Sequence, residues 1–462
     1  MKKPKLIEGL SRLERNEWIS FRKYVLMYCK KSSDNYRLLD QLFRMRNSLA
    51  TYSEIDQIKN PLFKGMSSKS FLNLMSRIFG WFEEWLIWNE QKKDRIASDI
   101  QLVKIYNRKG IYELADKTFR RVEKKLLDQR ALDLKKHHDM YHLYHNHYLS
   151  DNPVKYAHQG DLLDKVARLQ LRHFKEQALL YVSEMHNLTK GRGFDYALGI
   201  ELLMRLESQI DNTETSYVLK LIIDIGANLS RDAFLELKEL VLSKQIKEDS
   251  DLYIIATLYM VSYSMRLWNA NKIKDPQLVL EAHDFGLESG VILKTGSFPV
   301  LRFMTLVSML GMIKASAKAY EFVDKWIHHV DSDDPEAIRA LAYAQLRFHE
   351  RKYEDILTLL IGKRFMIDAG KLRSLALELI SLYMSRKSNY TLLVNRLSNF
   401  RRALKTYSNR KSNEVYRMYF NFTKVLDLLI KRDFVKMTIR IDNYSPIIFK
   451  EWLIEEIKAG HT

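Results

Sequence analysis

The chain has 462 residues, 46% of them hydrophobic and 29% charged, which is too apolar for a disordered polypeptide and enough for two or three compact domains or one repeat array. Its formal charge of +18 permits nucleic acid, anionic lipid or an acidic protein as a partner, although the lysines and arginines are spread over the chain without a dense block. A single cysteine, Cys29, excludes an internal disulfide and a thiolate metal cluster and fits a reducing compartment. Only 7 prolines and 16 glycines are present. Five of the prolines follow a capping residue, at Asn60-Pro61, Asn152-Pro153, Asp275-Pro276, Asp334-Pro335 and Ser445-Pro446, as at helix starts. With little period-2 alternation, this predicts an all-α chain. The basic N-terminus has no apolar stretch behind it, so no secretory signal is read and a cytoplasmic location is expected.

In chain order, Leu13, Trp18, Phe21, Tyr24, Val25 and Tyr28 give one apolar face to a first helix, and Tyr36, Leu39, Leu42 and Phe43 give one to the next. Ser67 to Glu90 is the most aromatic stretch, with Trp81, Trp85 and Trp88 on one helical face. Those tryptophans either pack the N-terminal helices onto the first repeat or form an exposed platform for bases or a peptide; packing is the preferred reading. The pattern of Leu10, Glu14, Phe21, Tyr24, Leu39, Leu42 and Phe43 resembles uncharacterised helical proteins of Bacteroidota, a likeness that implies no function.

Residues 101–127 read as two amphipathic helices folded back at Gly110. Leu102, Ile105 and Tyr106 share the first face, and Tyr112, Ala115, Phe119 and Val122 restart the period. Tyr106, Gly110, Tyr112, Ala115 and Phe119 stand in register with the tetratricopeptide repeat, which this segment resembles, while Asp99 and Val103 replace its usual bulky aromatic and small residue. Similar second-helix openings recur at Tyr112, Tyr156, Tyr196, Phe234, Gln277, Ser316, Tyr353, Tyr390 and Phe434, a mean spacing of about 40 residues, in the range of two-helix solenoid units. Residues 334–360 carry another copy, in which Ala340, Tyr343 and Ala344 meet the first-helix pattern and Arg351 and Ile356 replace the Gly and Ala. The apolar runs at 252–265 and 300–313 are too short to span a membrane and read as buried helices. Ser445 to Lys458 reads as a closing helix with Pro446 at its first position and Phe449, Trp452, Leu453 and Ile457 on one face.

Candidate chemistry is sparse. Residues 135–149 hold five of the 13 histidines, and His138, His142 and His145 share a helical face. A pair spaced i, i+4 can grip a transition metal, but no carboxylate or thiol joins that face, so packing between repeats is preferred. No phosphate-cradling loop, zinc motif or nucleophile motif is found, and the acidic residues Asp331, Asp333 and Asp334 read as a helix cap. Neither an enzymatic activity nor a cofactor is expected. Arg120, Arg121, Lys124 and Lys125, and Arg401, Arg402 and Lys405, are spaced as phosphate contacts would be and equally as solvent-facing helix sides would be.

These observations and the resemblance predict an all-α fold: an N-terminal helical domain at 1–95, a right-handed α-solenoid of tetratricopeptide-like hairpins at 96–443, and a capping helix at 444–462. The expected function is a scaffold holding a partner protein in the groove of the array, with Tyr106, Asn107, His142, Arg347 and His349 placed there from their repeat positions. A nucleic-acid-binding solenoid is the alternative, and no membrane association is expected.

Overall fold

The computed structural model describes residues 4–51, 63, 65–130, 132–149, 159–193, 195–294, 298–365, 368–408, 414–432, 444 and 446–461. Among them are 22 α-helices and one pair of two-residue strands, so the chain is all-α. No helix among the described residues is long and apolar enough to cross a membrane. The chain forms two compact units, one of Met1–Arg130 with Lys135–Lys175, the other of Ala131–Leu134 with Glu176–Thr462.

In the first unit, α1 (Lys5–Leu10), α2 (Arg15–Val25), α3 (Asp34–Arg44) and α4 (Ser68–Lys93) enclose one aromatic core. Trp85 is fully buried against Phe21, and its indole Nε1 donates to Ser20 Oγ (3.3 Å). Trp81 stacks on Tyr28 and Trp88 lies against Tyr24, so the tryptophan row packs onto the residues of α2 and just beyond it. Next, α5 (Arg95–Arg108) and α6 (Tyr112–Asp128) fold back on each other at Gly110, whose φ of +71° is a conformation that a residue without Cβ adopts freely. α7 (Leu134–Tyr148) and the first half of α8 (Gln159–Arg192) complete a second core with them.

The repeat spacing requires two helices where α8 runs unbroken for 34 residues. The cause is local: between Asp161 and Thr189 there is neither proline nor glycine to end the helix. The chain passes from one unit to the other inside this helix, between Lys175 and Glu176.

The second unit continues with α9 (Ala197–Glu207), α10 (Glu214–Asn228), α11 (Arg231–Leu242), α12 (Asp251–Asn269), α13 (Pro276–Glu288) and the short α14 (Val291–Lys294). It then comprises α15 (Val300–Met312), α16 (Ser316–Trp326), α17 (Pro335–His349), α18 (Tyr353–Leu360), α19 (Asp368–Met384), α20 (Arg386–Ser408), α21 (Glu414–Ile430) and α22 (Lys450–His461). From α15 to α21 each helix packs on its successor, and α15, α17 and α19 also pack on one another, as do α10 and α12. Strands β1 (Phe298–Pro299) and β2 (Val330–Asp331) pair in parallel beside α15. The apolar runs at 252–265 and 300–313 lie in α12 and α15, both with extensively buried faces.

Tyr112, Ser316 and Tyr353 are the first residues of α6, α16 and α18; Gln277 is the second of α13, and Phe234 lies in the first turn of α11. Tyr196 is the N-cap of α9, and Tyr390 follows the kink at Asn389 in α20. Tyr156 and Phe434 lie outside the described residues, as do Asn60-Pro61, Asn152-Pro153 and Ser445. Asp275 Oδ1 accepts from the Gln277 N–H (2.9 Å) and Asp334 Oδ1 from the Ala337 N–H (3.0 Å), so both acids cap helices with proline in the first turn. The closing helix begins at Lys450 and not at Pro446. Pro446 is instead held outside it, its carbonyl accepting from Asn421 Nδ2 (3.0 Å), and Phe449 turns the chain with φ +56°. Trp452, Leu453 and Ile457 are buried as their spacing predicts.

One turn occurs four times among the described residues. Ile111 N–H donates to the Tyr106 carbonyl, Lys272 to Leu267, Ala315 to Leu310 and Lys352 to Arg347, the six-to-one bond of a Schellman ending, with Gly110, Asn271, Lys314 and Arg351 left-handed at φ +71°, +55°, +57° and +61°. Only the first of these is glycine. Lys314→Gly should therefore raise stability by about 0.5–1 kcal/mol and Gly110→Ala lower it by about 1 kcal/mol, measured by urea unfolding.

Candidate functional site

A cavity of about 550 Å³ lies in the second unit, partly open to solvent, between α15, α17, α19 and the segment that ends in α22. That volume is in the range of small-ligand pockets. Its floor is polar and is built by three helices. Ser308 comes from α15, Gln345 and His349 from successive turns of α17, and Arg373 from α19. Gly311 makes the approach of α15 to α17 feasible: a Cβ there would stand 2.4 Å from Cδ2 of His349.

The four side chains form one hydrogen-bonded network. Arg373 Nε donates to Gln345 Oε1 (2.9 Å) and Nη2 to Ser308 Oγ (3.3 Å). Gln345, fully buried, is thereby oriented with its amide nitrogen toward His349 Nε2 (3.0 Å). Because the amide nitrogen can only donate, His349 Nε2 must accept, and the ring carries its proton on Nδ1. Ser308 Oγ, which accepts from Arg373, lies 3.4 Å from the same Nε2. Burial pushes the His349 imidazole down from 6.5 to about 4, and the Arg373 charge adds to the shift. Burial also lowers the Arg373 guanidinium, which makes no ion pair with any described residue.

The walls are aromatic. Phe449 lies against Phe348 (4.8 Å between centroids) and Phe422 (5.9 Å), with the Arg373 guanidinium over its ring at 5.8 Å; Trp452 packs edge-on to Tyr383. At the rim, Arg351 pairs with Glu455 (3.0 Å), and Lys314, Lys450 and Glu451 also line the opening.

The residues singled out from the sequence are placed differently from one another. His349 lines the cavity. Arg347, two residues earlier, turns to Glu350 (2.8 Å) and Asp355 (3.4 Å) and lies over Tyr320. In the first unit, Asn107 is not exposed: it is buried, and its Nδ2 donates to the Asn146 carbonyl (3.5 Å), so it ties α5 to α7. Tyr106 beside it is half-buried. His142 packs against His138 (4.3 Å between centroids), which reaches His173 of α8 with 3.4 Å between ring nitrogens. Burial, with the neighbouring imidazoles, lowers His138 to about 4 and also lowers His142. His145 lies beside Tyr141 instead. Among the described residues no group of three or more histidine, cysteine or acidic side chains is placed to hold a metal ion.

Of the basic residues, Arg121 (3.0 Å) and Lys125 (3.7 Å) share the carboxylate of Asp99, and these two, like Arg120 and Lys124, are exposed. Arg401 donates to the Thr423 carbonyl (2.9 Å) and lies 3.4 Å from Asp427; Arg402 donates to Asn399 (2.9 Å). The Lys405 side chain lies outside the described ones. Ser308, Gln345 and Arg373 were missed from the sequence. Gln345 offered one signal, a lone amide within the apolar run Ala340 to Leu346. Comparison with protein-family models, curated proteins and solved structures finds no match for this chain.

His349 stays neutral in the folded chain where an unfolded imidazole takes up a proton, so the unfolded state binds more protons between pH 6.5 and 4 and stability falls as pH drops through that window. His349→Gln, which retains an acceptor, should remove about 1–3 kcal/mol of that fall, read as the pH dependence of urea unfolding. Equal pH dependence in both proteins would contradict the assignment.

Proposed function

We propose that the chain is a non-enzymatic binding protein whose helical hairpins stack as a tetratricopeptide-like, right-handed α-solenoid and hold a segment of a partner protein along their first helices. The observation that carries this is the direct packing of the first helices α15, α17 and α19, which together direct Ser308, Gln345, His349 and Arg373 into one open cavity. Stacked hairpins bury apolar faces that no single pair can bury alone, and they leave first-helix side chains for recognition. Aromatic walls with a few fixed polar groups suit the anchoring of one or two side chains of an extended segment. Engagement of Arg121, Lys125 and Arg401 by neighbouring acidic groups speaks for scattered surface charge more than for a phosphate-binding stripe.

The test is capture on the immobilised chain from its own host's lysate, with and without nuclease. A protein should be retained after digestion, and its capture should fall at least tenfold with Met312→Trp, which fills the cavity from an exposed wall position. Recovery of nucleic acid alone, with all proteins lost on digestion, would contradict the proposal.

A further inference from the structure

The cavity has a chemistry more specific than a peptide groove requires. Its deepest charged group, Arg373, is held flat by two hydrogen bonds, from Nε to Gln345 and from Nη2 to Ser308. Those bonds use two of its five N–H donors. Nη1 has no hydrogen-bond partner among the described residues, and the guanidinium has no carboxylate there either. His349 cannot serve as a second cation, since the network makes its Nε2 an acceptor. Around the opening, Lys314, Arg351 and Lys450 outnumber Glu451 and Glu455, of which Glu455 is already paired with Arg351. Phe449, Phe348 and Trp452 supply flat apolar walls.

We infer that this cavity binds a small aromatic carboxylate, its carboxylate on the remaining N–H donors of Arg373 and its ring between the aromatic walls. A guanidinium that is already pinned loses little freedom on pairing, and its planar edge matches a carboxylate. The volume of about 550 Å³ admits a one- or two-ring ligand. This rests on the Arg373 network and not on the partner-binding proposal, so either can fail alone.

The probes are indole-3-acetate, the neutral indole-3-acetamide and inorganic phosphate, titrated into the full chain by calorimetry and ligand-observed NMR. The expected result is saturable 1:1 binding of the carboxylate, with at least tenfold weaker binding of the amide and of phosphate. Arg373→Gln should weaken carboxylate binding at least tenfold, and Arg364→Gln, an exposed arginine outside the cavity, should leave it unchanged. If Arg373→Gln fails to fold, Met312→Trp decides, because Met312 is 42% exposed and lines the opening. Absence of saturable binding, equal binding of acid and amide, equal binding of phosphate, or full binding by Met312→Trp would each overturn the inference.

Discussion

Gln345 has no exposed surface, and a buried amide left without partners costs on the order of 1–3 kcal/mol for each unmet group. That constraint organises the C-terminal half of the second unit. The amide oxygen takes the Arg373 Nε–H from α19, the amide nitrogen meets His349 one turn along α17, and Ser308 closes the ring from α15. Three helices are thus registered by one polar network inside a largely apolar core. The close approach it demands is supplied by Gly311, against whose backbone the imidazole lies. Had α15 carried a side chain there, its Cβ would have met the imidazole of His349.

The same reasoning separates the two groups of histidines. His138, His142 and His173 also sit together, and His138 and His142 are held toward their neutral forms, but there each imidazole's neighbours are chiefly other imidazoles and Lys104 or Lys135. At His349 the neighbours are a serine, an amide and a guanidinium, each with a defined donor or acceptor role. Burial accounts for the lowered proton affinity in both places, whereas only the second place couples it to a cavity.

Helices were legible where local chemistry marks their ends. Asp275-Pro276 and Asp334-Pro335 announce α13 and α17 because a carboxylate cap and a proline in the first turn each satisfy or remove an orphan N–H. Among the recurrent opening residues, Tyr353 packs back onto Phe348 of the preceding helix, whereas Tyr390 is exposed. Two failures were equally local. Nothing between residues 161 and 189 stops a helix, so two expected helices became one. Pro446 looked like a first-turn proline, but its carbonyl is taken by Asn421 and the turn at Phe449 delays the helix to Lys450. The cavity was barely legible, since Ser308, Gln345 and Arg373 lie 28 to 65 residues apart and meet only because α15, α17 and α19 do. Repeat position alone does not decide exposure: His349 lines the cavity, whereas Asn107, at a comparable repeat position, is a buried tie between helices.

The most direct test of the three-helix network is the protonation state of one ring. Selective ¹⁵N labelling of histidine, with His349→Gln to assign the signals, reports which nitrogen of His349 carries the proton. The network requires a neutral ring protonated on Nδ1, with Nε2 unprotonated, from pH 8 down to about pH 5. A ring protonated on Nε2, or an imidazolium already formed at pH 6, would mean that Gln345 is not oriented by Arg373 and that the network holding α15, α17 and α19 is not as described.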